Sequence, residues 1–302
     1  MTWIILSLVS AFVLGFYDLA KKSAVRENAV PPVLLLNVLT AASLYLPVVM
    51  LSYWKPEFLI GTILEIQPTS ATEQLLFALK SVLVGTSWTL AFFALKHLPL
   101  SIAAPIRSTS PLFTIVVAVL VLGERPELLQ WLGMVVTLVA FFSFSRVGKK
   151  EGIHFSSNRW VACMLLATIL GSTSSLYDKL LLQDLQYSPA TVQAWFSIHL
   201  AWVMLPLATY WYVKERKSKP FQWRFSIPLI AICLLIADML YFSALHQAGS
   251  LVSLVSIVRR TSVIIPFAVG VWFLREQHGT KKLICILLML LGVALIGWKT
   301  LE

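Results

Sequence analysis

The sequence predicts an all-α membrane protein: ten transmembrane helices arranged as two inverted repeats of five. Three observations predict it. Apolar runs fill the chain from end to end, basic residues collect in alternate loops, and the second half echoes the first. The chain has 302 residues, 58% hydrophobic and only 13% charged, with a mean hydropathy of +0.82. About a quarter of the residues of a soluble domain are charged, so an ordinary soluble domain is excluded. A disordered or nucleic-acid-binding chain is excluded too, despite 24 Lys and Arg against 14 Asp and Glu, because the apolar runs leave no polar domain.

A helix needs about 20 mostly apolar residues to cross a bilayer. Residues 3–20, 31–53, 73–95, 99–122, 128–145, 160–182, 189–213, 226–245, 250–273 and 283–298 meet that test. The last is short but carries no charge. Barrel strands would alternate apolar and polar over about ten residues, and these segments do not. The longest connection, 54–72, is too short for a soluble domain. The opening MTWIILSLVSAFVLGF has no basic leader region and reads as the first span, not as a cleaved signal. Cys163, Cys233 and Cys285 each lie inside an apolar run and read as buried thiols. No Cys/His metal spacing occurs, so neither a metal site nor a cofactor is expected. Trp3, Trp54, Trp160 and Trp298 near span ends read as an interfacial belt.

Lys and Arg are enriched in cytoplasmic loops. The loops after spans one, three, five, seven and nine hold sixteen, including Lys21, Lys22, Lys96, Arg224 and Lys282. The other loops and the termini hold three: Lys55, Arg125 and Lys299. This bias puts the odd loops in the cytoplasm and both termini outside. The loop charges themselves read as topology signals on solvated faces.

The halves repeat at an offset of 152. Arg107, Thr109, Ser110, Val117, Val119, Leu122 and Glu124 match Arg259, Thr261, Ser262, Val269, Val271, Leu274 and Glu276. AFFALKH (91–97) echoes LYFSALHQ (240–247), and LGFYDLAKK around Asp18 echoes SSLYDKLLL around Asp178. The expected division is 1–148 and 149–302. Five spans per half is an odd number, so the halves insert in opposite directions, an architecture of many secondary transporters.

With this repeat, and a fourth helix in each half that ends in Gly-Glu or Arg-Glu, the chain resembles the drug/metabolite transporter superfamily, EamA type. The resemblance covers nearly the whole chain. It implies a central cavity formed by helices one, three, four, six, eight and nine, and cytoplasmic termini, the reverse of what the loop charges predict.

Five basic residues fall inside predicted spans: Lys80, Arg107, Lys179, Arg259 and Arg260. A charge at mid-bilayer costs roughly 2.5–3.5 kcal/mol on insertion scales, so such residues face a protein interior or a wet cavity. Arg107 has Ser110, Pro111 and Thr114 on its helical face; Arg260 has Ser253 and Ser256, with Ser262 and Pro266 beside it. As repeat partners, the arginines are expected to approach one another. Asp238 is the carboxylate nearest the middle of a span, while Asp18 and Asp178 lie near span ends, Asp18 as an ion pair with Lys21 or Lys22. The interior is therefore expected to be net positive. Arginine forks donate paired bonds to carboxylate or phosphate, which points to an anionic substrate. A weaker resemblance, to plastid sugar-phosphate/phosphate translocators, rests on the Arg259–Arg260 pair and Arg107, and implies a cavity role for Tyr241.

The expected function is a secondary transporter of a small, anionic organic molecule in the plasma (inner) membrane, working by alternating access. Its substrate-binding residues are Arg107, Arg259, Arg260, Lys80, Tyr241 and Asp238; the coupling ion stays open. An exporter of amino acids or drugs is the alternative, favoured by a cavity with aromatic walls and Arg–Asp pairs. A lipid-linked-sugar flippase needs a lateral opening beside the arginines. A receptor or scaffold leaves the repeat without a purpose. No G-x-S-x-G, HExxH or phosphate-cradling glycine loop occurs, so no catalytic residue is expected.

Overall fold

In the computed structural model the described helices pack chiefly across the two halves of the chain rather than within them. The structure describes residues 2–110, 112–113, 127–150, 154–247, 255, 258–273 and 278–297. Among these residues there is no strand. The helices are α1 Thr2–Val25, α2 Val30–Trp54, α3 Ala71–His97, α4 Leu100–Ser108, α5 Leu128–Lys150, α6 Arg159–Lys179, α7 Pro189–Tyr210, α8 Ser226–His246, α9 Ile264–Trp272 and α10 Gly279–Gly297. A π turn, Leu180–Asp184, prolongs α6, and another, Trp211–Glu215, prolongs α7. Seven of the described helices are long and apolar enough to cross a membrane. The helices α4 and α9 lie within predicted spans 99–122 and 250–273, with Arg259 and Arg260 ahead of α9. Residues 111, 114–122, 250–254 and 256–257 of those spans, with Pro111, Thr114, Ser253 and Ser256, lie outside the described residues, as do Glu124 and Glu276.

Local chemistry sets the helix ends. Ser70 and Glu73 form a reciprocal capping box at the start of α3, Ser70 N donating to Glu73 Oε2 at 2.6 Å. Asn158 Oδ1 caps α6 by accepting from Trp160 N at 2.9 Å. Ser188 Oγ accepts from Thr191 N at 3.1 Å, and Pro189 opens α7.

The principal packing partners are α1 with α8, α3 with α6, α2 with α7, α5 with α10, α3 with α7, α2 with α8 and α4 with α9. Exchanging each helix for the one five places along maps this set onto itself. Small residues allow the closest approaches. A Cβ on Gly292 of α10 would run into Thr137 and lie 2.8 Å from Gly133 O on α5. Serines stitch the halves: Ser10 Oγ donates to Ala237 O at 2.6 Å and Ser87 Oγ to Ala167 O at 2.7 Å.

The basic residues expected on solvated loop faces include several that are structural. The carbonyls at a helix C-terminus lack intrahelical partners. Lys22 Nζ donates to Leu95 O at 2.8 Å and Leu98 O at 2.6 Å, closing the end of α3. Arg224 Nη1 does the same for α1 through Ser23 O and Arg26 O, at 2.6 and 2.7 Å. Lys282 is fully buried, its ammonium donating to Ser101 Oγ at 2.7 Å. The helix α1 runs five residues past the predicted end of span one, which carries Lys21 into the interior. Lys179 goes the other way: it is exposed at the end of α6.

Candidate functional site

The helices α1, α3, α4, α6 and α8, with the turn before α9, enclose a compact cavity of about 150 Å³. Phe196 of α7 closes one wall. Five of the six residues expected to bind substrate line it: Lys80, Arg107, Asp238, Arg259 and Arg260. Tyr241, the sixth, is not among the lining residues. It is 2% exposed, and its ring lies under the Arg259 guanidinium, with Cζ 4.0 Å from the ring centroid. It therefore reaches the cavity through Arg259.

The carboxylates depart most from the sequence expectation. Asp18 and Asp178, placed near span ends, are both buried and both paired with cavity cations. Asp178 on α6 pairs with Lys80 on α3. The Lys80 ammonium also lies 5.0 Å from the Phe196 ring centroid and 5.5 Å from that of Phe242. Asp18 pairs with Arg107 and, at 2.7 Å, with Lys21 of its own helix. Asp238 pairs with Arg259. Arg260 Nη1 lies 3.5 Å from Arg107 O, so the neighbour of Arg107's repeat partner, Arg259, comes up to Arg107.

Pairing reduces the positive excess without cancelling it. Among the described residues, Lys21, Lys80, Arg107, Arg259 and Arg260 face Asp18, Asp178 and Asp238, five cations against three carboxylates. The buried Arg259 Nε has no hydrogen-bond acceptor among the described residues. A buried donor left unmet costs about 1–3 kcal/mol, so the site holds unspent capacity for an acceptor. Trp88, Phe92, Phe196 and Phe242 supply aromatic wall, and Ser87, Ser110, Ser174 and Ser175 supply hydroxyls. Ser110 Oγ lies 2.9 Å from Ser172 Oγ and joins α4 to α6.

Sequence reading expected Asp18 to pair with Lys21 or Lys22 at a helix end, and the Lys21 pair forms; it missed that this pair is buried at the cavity and that Asp18 and Asp178 also meet Arg107 and Lys80. One signal was the Tyr-Asp dipeptide of 17–18, which recurs at 177–178. His199 is a helix contact, its Nε2 2.7 Å from Gln74 Oε1. His97 stacks on Trp160 at 3.9 Å between centroids. Among the described residues no cluster of His, Cys, Asp and Glu could hold a metal ion.

The family model for EamA-like transporters matches residues 1–146 and 158–298. An uncharacterized transporter of Archaeoglobus fulgidus is 22% identical over 296 residues, 97% of each chain. A crystal structure, 17% identical, superposes with a TM-score of 0.62 over 98% of this chain and 97% of the other, and so shares the fold. With the family matching both halves, the chain belongs to the EamA-like transporter family: it is a multi-pass membrane transporter of small molecules.

Proposed function

We propose that this transporter carries a small organic anion across the plasma membrane. The observation that carries the reading is that, among the described residues, five cations meet three carboxylates around a cavity of about 150 Å³ and the buried Arg259 Nε is left without an acceptor. Buried charge is costly unless compensated, and an anion compensates this surplus. Arg107, Arg259 and Arg260 bind the acidic group, Lys80 adds to the field, and Asp238 and Tyr241 hold Arg259 in place. The cavity is smaller than the roughly 300–1,000 Å³ of drug-sized pockets. That argues against drugs and lipid-linked sugars.

The ten helices act as two inverted halves, 1–148 and 149–302, which rock about the site to give alternating access. The exchange symmetry of the helix contacts supports this arrangement. The loop charges support cytoplasmic odd loops and external termini. A reporter fused after Glu302 is expected to be inactive if it needs the cytoplasm and accessible from outside in intact cells. A cytoplasmic reporter overturns that orientation.

The decisive assay is uptake into proteoliposomes of labelled succinate, lactate and glycerol 3-phosphate, with phenylalanine beside them. Saturable uptake of an acid is expected, reduced at least tenfold in Arg260→Ala while the protein elutes as a folded species. Undiminished uptake in that variant overturns the site. A second reading, an amino-acid exporter, draws on the aromatic wall and the two Arg–Asp pairs. Transport of phenylalanine without any of the acids favours it.

A further inference from the structure

We propose that Lys21 is the proton carrier of this transporter, and that one proton travels with each anion in the same direction. The inference rests on the anion reading above. It starts from a feature that no loop lysine should have. Lys21 is 2% exposed, and it lines two spaces at once. One is the main cavity. The other is a void of about 10 Å³ bounded by Asp18, Arg107, Leu95 and Leu100, the size of about one water. Leu95 and Leu100 flank the short connection between α3 and α4, so this void lies on the side of the basic loops.

Charge counting makes the site reactive towards protons. The Lys21 ammonium lies 2.7 Å from Asp18 Oδ1, and the same oxygen is taken by Arg107. A buried ammonium and a half-buried guanidinium thus share one carboxylate. A guanidinium stays protonated throughout the accessible pH range, whereas a lysine ammonium can give up its proton. Lys21 is therefore the member of the triad that can relieve the excess charge.

The charged and titratable groups around it are few. On its own helix these are Tyr17, whose ring centroid is 4.1 Å from Nζ, and Asp18; Lys22 is engaged with the carbonyls of Leu95 and Leu98. From α4 comes Arg107, and from α3 the uncharged ring of Phe92 at 5.6 Å. Lys96 of α3 is engaged with Asn28 O. Asp238, Arg259 and Arg260 stand around the cavity beyond, with Lys80 and Asp178 paired on its other side.

The coupling follows from electrostatics. An anion seated against Arg107 adds the negative charge that the triad lacks, and Lys21 then keeps its proton. When the anion leaves, two cations again face one carboxylate, and the proton passes from Nζ to water in the small void. For a monoanion such as lactate, charge balances at each step: one anionic charge and one proton arrive, and both depart; a dianion such as succinate carries one further negative charge across with its single proton.

The test counts protons. Wild-type proteoliposomes enclosing a pH-sensitive dye are given an inward gradient of succinate, lactate or glycerol 3-phosphate at about pH 8. The expected result is internal acidification of about one proton per anion taken up. In Lys21→Arg and Lys21→Gln the ratio is expected to fall to near zero. Where a folded variant carries no flux, the count is taken from binding instead. Adding the transported anion as its salt, matched in pH to the unbuffered detergent solution, should raise the pH with wild type and not with either variant. Anion flux without proton movement in wild type overturns the inference and leaves the anion reading standing. Equal proton counts in wild type and the variants overturn the role of Lys21. Absence of flux for all three acids overturns the anion reading, and this inference with it.

Discussion

Lys80→Met is expected to destabilise the protein by about 3–5 kcal/mol, the usual cost of stranding one member of a buried ion pair. Lys80 is 2% exposed and Asp178 6%, and they join α3 of one half to α6 of the other. Without the ammonium, the Asp178 carboxylate keeps its desolvation cost and loses its paired cation. The Phe196 and Phe242 rings, which tolerate a cation, offer a carboxylate nothing. The double variant Lys80→Met with Asp178→Leu is expected to recover most of the loss, since apolar replacement of a buried pair is often neutral or stabilising. Thermal unfolding of purified protein checks both. A single variant as stable as wild type would show that the pair contributes nothing to the joint between the halves.

Arg107→Gln removes the same charge with a different outcome. Its partner Asp18 keeps Lys21 at 2.7 Å, so no buried carboxylate is stranded. Stability is expected to fall by less than in Lys80→Met. Anion uptake is expected to fall at least a hundredfold, because a guanidinium that faces the cavity and donates to an incoming acid is gone. The loss corresponds to about 2.7 kcal/mol of transition-state stabilisation. Parallel measurement of unfolding and uptake separates the two variants: Lys80 chiefly as a tie, Arg107 chiefly as a ligand. Undiminished uptake in Arg107→Gln would remove Arg107 from the site.

The division between legible and hidden features follows the range of the physics. Arg107, Arg259, Arg260 and Lys80 could be found one at a time, since a charge within an apolar run is a local anomaly. Tyr241 was assigned a place in the cavity and stands instead behind Arg259, because helical spacing sets a residue's face but not its depth behind a neighbour. Lys21 and Lys179 exchanged roles. Hydropathy cannot say whether a helix continues through a lysine, and α1 continues past Lys21 while Lys179 emerges at the surface.

Crossing a bilayer is a property of windows of about 20 residues, and orientation of the few charges beside each window. Class, the seven described helices long and apolar enough to span, and the anomalous basic residues are therefore written along the chain and can be read in order. Charge pairing is not. Lys80 meets Asp178 across 98 residues and Arg107 meets Asp18 across 89. Such partners are chosen when helices distant in sequence pack, because a buried charge must find compensation wherever the packing brings a counter-charge. Packing also decided that three carboxylates temper five cations, and that a lysine from the end of the first span shares its carboxylate with an arginine of the fourth.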